Sequence, residues 1–128
     1  MSENNACSCC SALTLIYSCS GCSDVGALTD LSARRLTKDG AGKMACLAGI
    51  GGRVSGMMAS AESADSILVI DGCPLNCAKK TLEEAGFNTF KHLRLFDIGL
   101  KKSESPASVE NISKVVESAK TMLNACCS

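Results

Sequence analysis

Two short apolar runs, each followed at once by a close pair of cysteines, constrain this chain more than any other feature. Leu13-Thr14-Leu15-Ile16-Tyr17 precedes Cys19-x-x-Cys22, and Ile67-Leu68-Val69-Ile70 precedes Cys73-x-x-x-Cys77. Unbroken runs of this length, rich in aliphatic side chains, read as strands covered on both faces, the pattern of a parallel sheet. If the two strands are parallel neighbours, four sulfurs gather at one edge of one sheet.

The rest of the chain alternates strand and helix. The spacing predicts strands over 12–18, 43–47, 66–70 and 88–95. It predicts helices over 24–36 (Val25, Leu28, Leu31, Leu36), 53–61 (Val54, Met57, Met58), 74–86 (Ala78, Leu82, Ala85) and 107–123 (Val109, Ile112, Val115, Val116, Ala119, Leu123). Pro74 suits a first helical turn, where its missing N–H is not needed. Gly86 suits a helix stop. Strand–helix units of this length imply right-handed crossovers. The expected fold is α/β: three layers, with a four-stranded, mostly parallel sheet of order 2-1-3-4 and helices on both faces. Ligands of such sheets bind outside the carboxyl ends of the strands, near the switch between the first and third.

The 128 residues fit one domain, expected over 12–125, with short cysteine-rich tails at 1–11 and 126–128. There is no Trp and only one Tyr, so the core must be aliphatic. Lys plus Arg equals Asp plus Glu, thirteen each, which gives no electrostatic footprint for nucleic acid or an anionic membrane. The ten cysteines would suit a secreted disulfide scaffold. Against that, Met1-Ser2-Glu3-Asn4-Asn5 lacks a basic leader, and the apolar run after it is too short for a signal or a span. A cytoplasmic setting is expected, where such cysteine density points to metal or catalysis.

Zinc takes thiolate sulfur in closed, four-ligand sites. Cys19-x-x-Cys22 can wrap one ion, and Cys73 and Cys77, four apart at a helix start, can face the same way. Cys22 and Cys77 are both expected in first helical turns, whose dipole favours thiolate. Cys46, ending the second strand, would reach the same edge, so five sulfurs compete for four places. The same cysteines also suit a thiol-redox or sulfur- or alkyl-transfer enzyme, with Cys46 resolving, and four thiolates suit an iron–sulfur cluster. The bland alternative is that free cysteines are small core residues.

With Cys19-Ser20-Gly21-Cys22 placed before Asp71-Gly72-Cys73 and Cys77, and with Asp97-Ile98-Gly99-Leu100-Lys101-Lys102 near the end, the chain resembles the DGC-domain family over roughly residues 12–102. The cysteines of that family are proposed as zinc ligands. The resemblance implies Zn2+ held by Cys19, Cys22, Cys73 and Cys77, with Cys46 as alternate or fifth.

Asp71 suits either a role behind the ligands, orienting backbone or water, or a helix cap. Gly72 suits a tight turn or a close approach of backbone to the ion. Gly49-x-Gly51-Gly52-Arg53 before a helix suggests an anion site at Gly51, Gly52 and Arg53, though it lacks the Lys-Ser/Thr of a phosphate loop; otherwise it is a glycine turn. A metal ion, and a small anionic or thiol ligand, are therefore the partners to expect. His92 reads as a surface or packed residue. The terminal Cys7, Cys9, Cys10, Cys126 and Cys127 read as loose tails that pick up metal incidentally.

Overall fold

Strands β1 (Thr14–Ser18) and β3 (Ser66–Asp71) lie side by side and parallel, from Thr14 opposite Ser66 to Ser18 opposite Ile70. The computed structural model describes residues 13–124, so the expected tails lie outside the described residues. Strand β2 (Lys43–Met44) flanks β1, and β4 (Lys91–Arg94) flanks β3. All pairings are parallel and the order is 2-1-3-4, as the sequence pattern implied.

Alternation along the two central strands sorts the core into two layers. Ile16, Leu68 and Ile70, with Leu93 of β4, pack against α1 (Asp24–Lys38) and α5 (Val109–Asn124) through Val25, Leu28, Leu36, Val115 and Ala119. Leu15, Tyr17, Ile67 and Val69 pack on the other face. Their partners there are Ile50 of α2 (Leu47–Gly51), Ala61 of α3 (Ser55–Ser63), and Ala78 and Leu82 of α4 (Cys77–Glu84). Each fully covered Leu, Ile or Val contributes roughly 1.5–3 kcal/mol.

Several local expectations are revised. Leu31, Val54 and Val109 are exposed. The buried face of α1 instead runs through Val25, Leu28, Thr29, Ser32, Ala33 and Leu36, so small and hydroxyl residues take places assigned to Leu31. β2 stops at Met44: Ala45 N–H still donates to Ile16 O, but Cys46 caps a helix that includes Leu47, Gly49 and Gly51. The expected glycine loop is thus mostly short helix. The fourth strand is shorter than the 88–95 expected: β4 starts at Lys91, and Leu95 already opens a 3-10 turn (Leu95–Ile98).

Pro74 does not open a helix. Asn76 N–H donates to Cys73 O at 3.2 Å, closing a turn in which Pro74 holds the second position, one that its fixed φ suits. Asn76 then adopts φ 55°, ψ 46°, a left-handed conformation that Asn tolerates better than most residues, and α4 begins only at Cys77.

Candidate functional site

The five described cysteines, all free, lie at the carboxyl edge of the sheet. Cys19 extends β1 by one residue, its N–H donating to Ile70 O at 3.0 Å. That bond ties the first cysteine segment to the strand that leads into the second. Cys22 is exposed and precedes Ser23, the N-cap whose hydroxyl accepts from Gly26 N–H, so Cys22 stands just outside the first turn where it was expected. Cys73 is half-buried in the turn after β3; Cys77 is exposed at the first position of α4, as expected. Cys46 is exposed at the N-cap of α2.

Two glycines bring the loops together. A Cβ on Gly72 would lie 2.9 Å from Val25 O and equally near the Val25 side chain. One on Gly26 would clash with Gly21 O. The Asp71–Cys73 segment therefore runs against the first turn of α1, three residues past Cys22, and the Cys19–Cys22 loop folds down on that same turn. The close approach at Gly72 is to Val25 of α1, whereas the approach expected of it was to an ion.

Side-chain directions differ along this edge. Cys19 packs against the core under α2–α4, whereas Cys73 packs against the core under α1 and α5. Among the described residues no three His, Cys, Asp or Glu side chains are gathered as a metal site. The donor chemistry, soft thiolates on neighbouring segments of one edge, fits zinc. Between Cys73 and Cys77, the buried Oδ1 of Asn76 has no partner among the described residues.

The loop after β1 is fixed by polar contacts. Ser20 has φ 49°; its N–H donates to Thr29 Oγ1 at 3.1 Å and its hydroxyl to Asp30 Oδ1 at 2.9 Å. Cys19 Sγ sits 3.4 Å from the same Thr29 Oγ1, which donates to Gly26 O. Arg34 Nε donates to Asp30 at 2.7 Å. Burial pushes the Asp30 carboxyl up, but the bonds from Arg34 and Ser20 and the guanidinium charge together hold it below its usual value. Beside this loop opens a cleft of about 930 Å³, lined by Ser18, Cys19, Ser20, Asp30, Arg34 and Cys46 among others. Below it, burial and then the charge of Cys46 raise the Tyr17 hydroxyl pKa.

Asp71 is a cap, delivered from a strand rather than from the helix it serves. Its Oδ1 accepts from Ala78 N–H at 2.8 Å and its Oδ2 from Lys79 N–H at 3.1 Å. Oδ2 also receives His92 Nε2 at 2.8 Å. His92 is thus packed, as expected, and also bonded to Asp71, a contact that its place in the sequence does not signal. It packs edge-on to Phe90, with ring centroids 6.2 Å apart.

Arg53 is committed elsewhere than to an anion. Its guanidinium donates to Ile50 O and Gly51 O, and to Glu84 O at the end of α4. The N–H groups of Gly52, Arg53 and Val54 donate to Ala48 O, Ile50 O and Gly49 O. The backbone donors that Gly52 and Arg53 would offer an anion, and three of the guanidinium's N–H groups, are spent on the fold, and the helix that follows them, α3, is capped by Val54 without a side-chain bond.

This chain belongs to the DGC-domain family, whose model matches residues 15–119 and so spans the sheet, both cysteine segments and most of α5. Among curated proteins it is similar to the anaerobic and virulence modulator AnvM of Pseudomonas aeruginosa. The two are 43% identical over 90 residues, which cover 70% of this chain and 69% of that protein. No solved structure matches. Among the described residues, no helix is long and apolar enough to cross a membrane.

Proposed function

We propose that this protein is a zinc-binding regulatory or accessory module of the cytoplasm, with Cys19, Cys22, Cys73 and Cys77 as ligands and Cys46 as the alternate. The observation that carries this reading is the Cys19 N–H bond to Ile70 O, which ties the two cysteine segments to one sheet edge. Cys22 and Cys77 are exposed and so free of packing constraint, and Gly72 lets the Asp71–Cys73 segment run close to the turn that follows Cys22. Asp71 fixes the start of α4 and with it the backbone of Cys77. Bound zinc would supply a four-thiolate centre cross-linking the loops. A regulatory role accords with the name of the relative, a modulator.

Metal analysis of the protein purified under reducing conditions tests the reading, with about one zinc per chain expected. Cys73→Ser should abolish zinc retention and Cys127→Ser should leave it unchanged. Equal loss in both, or a metal-free protein that reversibly oxidises its Cys19–Cys22 pair, overturns it. A coloured preparation would mean an iron–sulfur cluster instead.

A further inference from the structure

The cleft beside β1 is walled by two thiols, Cys19 and Cys46, that come from adjacent strand ends. Ile16 lies opposite Met44, and Ala45 N–H continues the ladder to Ile16 O. Cys46 follows one residue later, past the end of β2 at the N-cap of α2, and lines the same cleft as Cys19. Neighbouring strands run about 4.8 Å apart, and a disulfide spans Cα atoms about 4.4–6.8 Å apart. Cys19 packs on the same core face as Tyr17, and Cys46 is near enough to that ring to raise its hydroxyl pKa, so both thiols open on one side of the sheet. Cys22, the nearer cysteine in sequence, is not among the residues of this cleft. It is separated from Cys19 by a loop pinned through Ser20 to Thr29 and Asp30.

We propose that Cys19 and Cys46 form a reversible dithiol–disulfide couple across this cleft, with a hydroperoxide as oxidant. Cys46 is exposed and reacts first; Cys19 is half-buried, held at Thr29, and resolves. The Cys46 thiolate attacks the terminal peroxide oxygen. An S–O bond forms, the O–O bond breaks, and the other oxygen leaves as alcohol or water after taking a proton. The Cys19 thiolate then attacks that sulfur, forming S–S and breaking S–O, and hydroxide leaves and is protonated to water. Two thiols lose two electrons in all, and the peroxide gains them. The inference goes beyond the zinc reading and does not need it, although any ion held through Cys19 would compete with the bridge.

The test uses the full chain with Cys7, Cys9, Cys10, Cys126 and Cys127 changed to Ser. It is treated with stoichiometric hydrogen peroxide in chelator, blocked with an alkylating agent and mapped by peptide mass. A linked Cys19–Cys46 peptide that thiol reductant reverses is expected. With Cys19→Ser, dimedone should trap a sulfenic acid on Cys46; with Cys46→Ser, neither the bridge nor a sulfenic acid on Cys19 should form. A Cys19–Cys22 or Cys73–Cys77 bridge forming first, or no bridge at all, overturns the proposal. Because chelator is present, the mapping result is read independently of whether the protein retains zinc.

Discussion

Asp71 and His92 are joined by a 2.8 Å contact between neighbouring strands, and the same carboxylate accepts the N–H groups of Ala78 and Lys79 in the first turn of α4. One buried group thus fixes a helix, an edge strand and the backbone beside Cys77. Asp71 is 1% exposed, so its removal leaves buried donors without partners. Asp71→Ala should destabilise the domain by about 2–4 kcal/mol, the cost of orphaned donors and lost charge-assisted bonds. His92→Ala should cost about 1 kcal/mol. Urea unfolding of both single variants and the double variant checks this. A coupling energy near zero would show that the contact carries no stability.

Gly72→Ala should be harmful where Gly21→Ala is not. The added methyl at position 72 would meet Val25 O, backbone that cannot turn aside, whereas nothing lies within 4 Å at position 21. A cost of about 1–3 kcal/mol is expected for Gly72→Ala from overpacking. Gly21→Ala should change the urea midpoint little. The spectral changes of Gly72→Ala in an amide NMR map should centre on the first turn of α1 and the Cys73 turn. Equal midpoints for the two variants would mean that the Val25 contact is not tight.

Much of this could be read from residues alone, for a physical reason. β1 and β3 are central strands whose Leu, Ile and Val are covered on both sides, so composition and burial agree. The cysteine segments follow those strands, and the order of strand and helix sets the edge they share. Features decided by neighbours were not legible. Asp71 and His92 meet only because Val69 pairs with His92 and Asp71 lies two residues further along the same face. Pro74 obeys a turn because Asn76 turns left-handed before the helix can start. The Gly49–Gly52 stretch became mostly helix because Cys46 and Leu47 turn the chain there, and Arg53 closes its end.

Acid should loosen the packing of α1 against the segments that close over it. Asp24 accepts the N–H groups of Ser103 and Ser105 as well as that of Val25. The Ser103 bond is the main cause that holds its carboxyl below the usual 3.8. Asp39 is lowered first by Lys120 of α5 and then by Arg35. A depressed folded pKa binds protons less readily than the unfolded chain, so its stabilisation is present above 3.8 and fades as pH falls through the folded value. Urea midpoints should show no pH dependence from these groups between neutral pH and about pH 5, where their stabilisation is fully present, then a decline below about pH 4. Asp24→Asn should flatten part of that decline. An unchanged acid limb would show that the Asp24 latch carries no stability.

Arg53 offers a test in which glycine should outperform alanine. The residue has φ 57°, a left-handed conformation that costs a side-chain-bearing residue about 1–2 kcal/mol and glycine very little. Its guanidinium meanwhile joins the carbonyl ends of α2 and α4, through Ile50, Gly51 and Glu84. Both Arg53→Ala and Arg53→Gly lose those bonds, but only the glycine variant sheds the backbone strain. Glycine also gains freedom in the unfolded chain, which offsets about 0.4–1 kcal/mol of that relief. Urea unfolding should therefore rank wild type above Arg53→Gly and Arg53→Gly above Arg53→Ala. If Arg53 instead served an anion, added phosphate would stabilise the wild type and not the variants; with its guanidinium bound to the carbonyls of Ile50, Gly51 and Glu84, phosphate should shift all three midpoints alike. Alanine ranking above glycine would mean that position 53 does not hold its left-handed backbone in solution.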